Sequence, residues 1–276
     1  MIKKFVKKAL EEDIGRGDLF SLVGKESFAS AQIICKDVGV FSGEPYIRAL
    51  CKMNTLDVKF HVNDGDSLQK GDLIALIEGK SNTLLRCERT ILNLMQHASG
   101  IATNVASYKK VLEGYTLKLL DTRKTRPHLR IFEKYAIRCG GGNNHRMGLD
   151  DCLMIKDTHL KTIDDLKIFI TEAREKLPFT CKIEIESEDV AFAKFAMHCG
   201  ADIVMCDNMP YNDIESIVIY RNGHFPHVLL EASGNITKEN IVEYAKTGVD
   251  AISSGSLIHQ AVWLDFSMKI IHKTVI

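Results

Sequence analysis

The stretch Cys181–Asp207, CKIEIESEDVAFAKFAMHCGADIVMCD, reads as a strand, an amphipathic helix and a second strand. Runs Cys181–Ile185 and Asp202–Cys206 are short and β-rich, and Asp189–Cys199 between them carries apolar residues at helical spacing. Strand, crossover helix and strand predict a parallel pair. The alternation continues outward, with further β-rich runs at Leu117–Leu120, Leu153–Ile155, His227–Leu230 and Val249–Ser253 and helical segments at Ile163–Lys176 and Lys238–Thr247. Units of about 20 to 30 residues suit a (β/α) barrel better than an open doubly wound sheet. Polar residues follow each run: Asp121 to Lys124, Lys156 and Asp157, Glu186, Asp207, Glu231 to Gly234, and Ser253 to Gly255. In a barrel these strand ends share one rim, where substrates bind. Glu184 and Glu186 alternate with isoleucine, so both face one side of their strand, either the barrel mouth or, on an edge strand, solvent.

The N-terminal part reads differently. A short helix over Lys3–Glu12 precedes strands at Ala29–Lys36, Leu56–Val62 and Leu73–Glu78, with turns at Asp64-Gly65 and Lys70-Gly71, which predicts a small α+β domain. The segment DGDSLQKGDLIALIEG is faintly similar to lipoyl-carrier hairpins, but it holds no lysine flanked as a modification site and is read as structural. A long helical pattern, Thr83–Leu112, links the two parts, with Arg89 outside its apolar stripe.

With 276 residues, 45% of them hydrophobic, the chain can build a barrel plus a smaller domain. The 36 Lys and Arg balance 36 Asp and Glu, which argues against a nucleic-acid or membrane-surface role. No apolar run approaches the roughly 20 residues that span a bilayer. The start, MIKKFVKKALEEDIG, lacks the apolar core of a signal peptide, so a cytoplasmic protein is expected. Eight cysteines form no C-x-x-C pair and mostly sit in apolar runs, as buried hydrophobes rather than zinc ligands or disulfides.

Against that neutral background, Asp121–His159 sets eight Lys/Arg and three His against five acids, which points to a substrate with several negative charges. Arg123, Arg146 and Lys156 suit carboxylates, the guanidinium fork above all. Glu186 and Asp207 can hold Mg²⁺ through water, bond ribose hydroxyls or stabilise a developing cation; the bland alternative is an ion pair with Lys156 or Lys182. The turns Ser233-Gly234-Asn235 and Ser253 to Ser256 suit a monophosphate, because glycine lets backbone N–H groups close on an anion. There is no P-loop and no G-x-G-x-x-G after a strand. A Schiff-base role for Lys156 would leave the arginines and both turns partly unexplained.

In order along the chain, EEDIGRGD, ERTILNLMQHASGIAT, DTRKTRP, GGGNNHRMGLDD, IKDTH, IEIE, ADIVMCDN, LEASGNI and DAISSGSLIH closely resemble the quinolinate phosphoribosyltransferase family. The resemblance implies an incomplete parallel (β/α) barrel with an N-terminal α+β sandwich domain, divided as 1–110, 111–257 and a C-terminal segment, 258–276, that returns to the N-terminal domain. It implies transfer from phosphoribosyl pyrophosphate to quinolinate with loss of CO₂, Mg²⁺ as cofactor, and a homodimer with shared sites that can assemble further to a hexamer. By the same resemblance, Thr122, Arg123, His145, Arg146 and Lys156 bind quinolinate. Lys124, Asp157, His159, Glu186, Asp207, Ser233, Gly234, Gly255 and His259 contact phosphoribosyl pyrophosphate, and Arg89 reaches the partner subunit's site. Glu186, Asp207, Lys124 and Lys156 are the implied catalytic residues, with Glu186 chosen over Glu184 and with Glu186 and Asp207 holding the metal. Arg126, His128 and Thr158 depart from the commoner pattern without removing an implied ligand. The rivals are a sister transferase acting on nicotinate or another anionic ring, and a non-catalytic phosphosugar-binding protein.

Overall fold

The structure is a computed structural model in which residues 1–275 are described. The chain divides into two compact units. One holds Met1–Ala106, Tyr135–Gly141 and the chain from Ala261 onward; the other holds Ser107–Lys134 and Gly142–Gln260. Tyr135–Gly141 thus leaves the stretch read as barrel. Within the first unit the Tyr135 hydroxyl donates to Asp64, and Gly140 approaches the helix Ser81–Val111 so closely that a Cβ there would lie 2.4 Å from Ala102 O.

In chain order the strands are β1 (Ser27–Cys35), β2 (Gly39–Val40), β3 (Asp57–Phe60), β4 (Ser67–Leu68), β5 (Leu73–Lys80), β6 (Lys118–Leu120), β7 (Leu153–Ile155), β8 (Ile183–Ser187), β9 (Ile203–Asp207), β10 (Leu229–Ser233), β11 (Ala251–Ser253) and β12 (Phe266–Val275). The first unit is built on the antiparallel sheet β12-β1-β5-β3. Ala31 and Ile33 of β1 and Ile77 of β5 are fully buried, as are Val6 of the helix Ile2–Ile14 and Ile47 of the helix Glu44–Met53. The Asp64-Gly65 turn is structural, as read: Asp64 Oδ1 accepts from Gly43 N at 2.7 Å and Glu44 N at 3.2 Å, satisfying donors at the start of Glu44–Met53.

The second unit carries the six-stranded sheet β6-β11-β10-β9-β8-β7, parallel throughout. β6 comes first in the chain, yet it pairs with the last strand of the set, β11, and not with β7. That is the order of a barrel opened between its first and second strands. Beside β6 at the opening lies Asn143, bridged to Leu120; its N–H donates to Leu119 O at 2.8 Å and its carbonyl accepts from Asp121 N at 3.2 Å. β8 is an interior strand, so the solvated-edge alternative for Glu184 and Glu186 falls, and both side chains are buried.

β8, β9 and β10 run further towards their C-terminal ends than the apolar runs suggest. Ser187 pairs with Cys206 and Ser233 with Asp207, because backbone hydrogen bonding continues where apolar side chains stop. Glu186, Asp207 and Ser233 are therefore strand residues. Asp189 caps the helix Val190–Cys199 by accepting from Phe192 N at 2.8 Å, which sets where the crossover begins. All eight cysteines are free thiols, five of them buried. Among the described residues, no helix is long and apolar enough to cross a membrane.

Candidate active site

The parallel strands of the second unit direct their C-terminal ends to one rim, where most of the sequence-selected residues lie. After β6 the chain turns tightly, with Lys124 N donating to Thr122 Oγ1 at 3.0 Å and Thr125 N to Arg123 O at 2.8 Å. Arg123 is half-buried. Its pKa is lowered, first by burial and then by the charges of Arg146 and Arg130. Positive charge from Arg146 and Arg130 thus reaches Arg123, and guanidinium groups are suited to carboxylates.

Arg146 is 8% exposed and fixed at its far end: Nη1 donates to Cys152 O at 3.0 Å, and Nη2 lies 3.5 Å from Met154 Sδ. Its main chain is held from below by Lys134, whose Nζ donates to Asp121 Oδ1 at 2.6 Å, His145 O at 2.7 Å and Arg146 O at 2.9 Å. Asp121 also accepts from Asn144 Nδ2 at 2.6 Å and His145 N at 2.9 Å. Both ionic side chains have no exposed surface. Burial pushes Asp121 up and Lys134 down, each towards its neutral form. The geometry favours the charged pair, because three acceptors on one nitrogen use all three N–H bonds of an ammonium.

His145 does not present a free ring nitrogen. Nδ1 accepts from Arg146 N at 2.7 Å, and Nε2 lies 3.2 Å from Glu184 Oε2 and 3.2 Å from Glu231 Oε2. In this structure both ring nitrogens of the residue that the family resemblance gives to quinolinate face the protein. Burial would lower its pKa, but hydrogen bonds to Glu184 and Glu231, with their charges, raise it to about 10; burial also raises Glu184. A doubly protonated imidazole needs both nitrogens to donate. The two acids favour a proton on the ring, and with Nδ1 accepting from Arg146 N that proton sits on Nε2. The three ligand atoms lie within 4.8 Å of one another.

Lys156 follows β7 and forms an ion pair with Glu186 of β8, so the pairing named as the bland alternative is present. It also joins the implied acceptor ligand to the implied sugar residue. The short helix Asp157–Leu160 starts here, with His159 Nδ1 accepting from Lys156 N at 2.9 Å, while the Asp157 side chain is on the exposed surface. Asp207 ends β9 beside Ser233 of β10, and its Oδ2 accepts from Asn208 Nδ2 at 2.8 Å.

The two glycine turns differ in construction. Gly234 has φ +91°, and a Cβ there would lie 2.7 Å from Asn208 N, so the Ser233-Gly234 turn is locked against the end of β9. Asn208 and Asn235, bonded side chain to side chain at 3.0 Å, also adopt left-handed backbone, a strain that collects at binding sites. At the other turn a Cβ on Gly255 would lie 2.9 Å from Lys124 Cδ and 3.3 Å from the His259 ring. Lys124 is therefore brought beside Gly255 and His259, though far from both in sequence. Arg89 belongs to the first unit, at an exposed position of the helix Ser81–Val111. Sequence reading passed over Arg130, Lys134 and Glu231 as site residues and assigned no role to Glu184. For Glu184 the alternation with isoleucine was a usable signal; for Lys134, on an ordinary amphipathic helix, there was none.

Glycine turns, arginines and paired carboxylates share the rim of an opened parallel barrel, the layout of a barrel enzyme's active site. Residues 101–269 match the model of the quinolinate phosphoribosyl transferase C-terminal domain, and residues 18–99 that of its N-terminal domain. The chain belongs to the quinolinate phosphoribosyltransferase family. It is 39% identical to a Bacillus subtilis protein named "probable nicotinate-nucleotide pyrophosphorylase (carboxylating)", over 98% of this chain and 93% of that one. It is 33% identical to the Dictyostelium discoideum nicotinate-nucleotide pyrophosphorylase (carboxylating), over 98% and 95%. The crystal structure of NadC from Streptococcus pyogenes superposes with a TM-score of 0.91 at 38% identity, covering all of this chain and 97% of that one.

Two predictions follow from this geometry. Lys134→Met leaves the Asp121 carboxylate buried without its partner and is expected to cost about 3–5 kcal/mol in urea unfolding; a loss below about 1 kcal/mol would show that the pair does not hold the loop. Gly234→Ala forces a strained backbone against Asn208 N and is expected to raise the KM for phosphoribosyl pyrophosphate about tenfold or more. An unchanged KM would remove this turn from the phosphate site.

Proposed function

We infer that the chain transfers the phosphoribosyl group of phosphoribosyl pyrophosphate to quinolinate with loss of CO₂, giving nicotinate mononucleotide and pyrophosphate. The observation that carries this reading is the division of the rim. Arg123, within electrostatic reach of Arg146 and Arg130 and with them suited to a dicarboxylate, follows the strand ends that also carry Glu186, Asp207 and the turns at Ser233-Gly234 and Gly255. Membership in a family whose relatives bear the carboxylating name supports it.

The chemistry matches this arrangement. The ring nitrogen forms a bond to C1 of the ribose as the C1–O bond to pyrophosphate breaks, so positive charge grows on the sugar and negative charge on the leaving group. Glu186 and Asp207 offset the first, and Lys124, beside Gly255, offsets the second. Fixing two anionic substrates in line supplies much of the rate, which accounts for a site rich in ligands and poor in acid–base groups. Once the ring is cationic it can accept the electron pair of the C2–carboxylate bond as CO₂ leaves, and a proton then replaces the carboxylate.

The two carboxylates at the ends of neighbouring strands are hard oxygen donors that fit Mg²⁺, held directly or through water. Bound with the pyrophosphate group, that ion would neutralise charge on the leaving group. A homodimer is part of the reading: Arg89 is exposed, and Leu19, Phe20, Leu22 and Val23 of the same unit expose apolar surface that association would cover. Free thiols throughout support a reducing compartment, the cytoplasm.

The assay is direct. With Mg²⁺ and phosphoribosyl pyrophosphate, the protein is expected to give nucleotide and CO₂ from quinolinate and nothing from nicotinate; nicotinate turnover would move it to the sister activity, and silence with both would leave only binding. In that assay Arg146→Ala is expected to raise the quinolinate KM and lower kcat/KM at least about a hundredfold. Normal turnover by this variant would show that Arg146 binds no carboxylate. For the shared site, Arg89→Ala and Lys156→Ala, each inactive alone, should regain up to about a quarter of wild-type activity when mixed as subunits, the share expected if half the sites of a heterodimer are intact. Proven heterodimers without recovery would argue that each subunit works alone.

A further inference from the structure

Beneath the cationic pocket lie two acids with no assigned part in the reaction. Glu184 is fully buried and Glu231 is 2% exposed, on β8 and β10 respectively, with β9 between them. Register sets Glu231 level with Glu186 through Met205, and Glu184 one step lower on the same face. Both reach a single atom: His145 Nε2 lies 3.2 Å from an oxygen of each, and Glu184 Oε1 is a further 3.3 Å contact. The opposite ring nitrogen accepts from Arg146 N at 2.7 Å.

We propose that Glu184 and Glu231 are positioning residues that clamp His145 by its Nε2–H, so that Nδ1 stays aimed at Arg146 N and the Arg146 guanidinium is held for a substrate carboxylate. The proposal rests on the reading of Arg146 as a carboxylate ligand. The line of force is continuous: two strands fix the glutamates, the glutamates fix the ring, and the ring fixes the residue whose Nη1 is anchored on Cys152 O at 3.0 Å. A ring held only by Lys134 and Asp121 through the main chain of His145 would be free to turn about χ1 and χ2, since neither residue touches the imidazole. His145 is therefore a bridge between the barrel interior and the anion pocket, and the glutamates belong to recognition of the acceptor rather than of the phosphosugar.

The test uses full-length protein with ¹⁵N-labelled histidine, in which the 10 histidines are resolved and His145 is assigned by its loss in His145→Asn. The wild type is expected to show a slowly exchanging Nε2–H and an unprotonated Nδ1 at His145. In Glu184→Ala/Glu231→Ala the protected proton should disappear, quinolinate Kd should rise about tenfold, and phosphoribosyl pyrophosphate Kd should stay within about twofold. Glu184→Gln/Glu231→Gln keeps an oxygen acceptor on each side and should hold both the proton signal and quinolinate Kd within about threefold of wild type. A wild-type ring protonated on Nδ1 overturns the proposal whether or not the alanine variant folds. So does a folded alanine variant with unchanged quinolinate affinity. A wild type with the expected ring but no quinolinate binding instead overturns the substrate reading and leaves the clamp standing.

Discussion

The Lys134–Asp121 pair is the contact on which the rest of the second unit's site depends. An opened barrel leaves the inner side of its first strand without a neighbour, and the segment through Asn143 to Arg146 takes that place with a single bridge to β6. One bridge is too little to define a loop. The ammonium of Lys134 supplies the remainder, tying a carboxylate at the end of β6 to the carbonyls of His145 and Arg146. Taking both charges out of water is costly, and replacing such a pair by apolar residues often does not destabilise a protein. Here an apolar replacement would leave the carbonyls and the His145 N–H without partners, so the network serves the loop's conformation first.

From this anchor the site divides by charge. Arginines lie on one side, where burial and then the charges of Arg146 and Arg130 lower the pKa of Arg123, and carboxylates stand at the ends of the neighbouring strands. The Lys156–Glu186 ion pair spans the two sides. Such a layout favours a reaction in which an anionic acceptor meets a sugar that becomes cationic as an anionic group departs, because each developing charge faces its opposite in a partly dehydrated space. The turns at Gly234 and Gly255 complete the rim, Gly234 at a backbone angle that other residues adopt only with strain.

Much of this was legible beforehand. The alternation of β-rich runs with helical segments located every strand of the parallel sheet, since the hydrophobic period differs between strand and helix. The strand-end polar residues marked the rim. What escaped was whatever depends on partners distant in sequence. The helix Glu44–Met53 has local start signals in Pro45 and Glu44 but follows a glycine with no side-chain cap, and Asp64 from another segment caps it. β12 has only a loose alternation and becomes a strand by pairing with β1 across a register shift at Ser30 and Ala31. Tyr135–Gly141 was assigned by its place in the chain, whereas its contacts tie it to the other unit.

By itself the sequence determined the class of fold, the rim residues and, through motifs in order, the family, because hydrophobic period and residue chemistry are local properties of a chain. Only the tertiary structure decided which of those residues act together. It turned His145 inward onto Glu184 and Glu231, joined Lys156 to Glu186, set Lys124 and His259 beside Gly255, and raised Lys134 from an ordinary helix lysine to the support of the His145–Arg146 loop. The physical reason is that a buried charge must find its partner wherever folding brings one, and that choice is made across strands and loops that no spacing along the chain records.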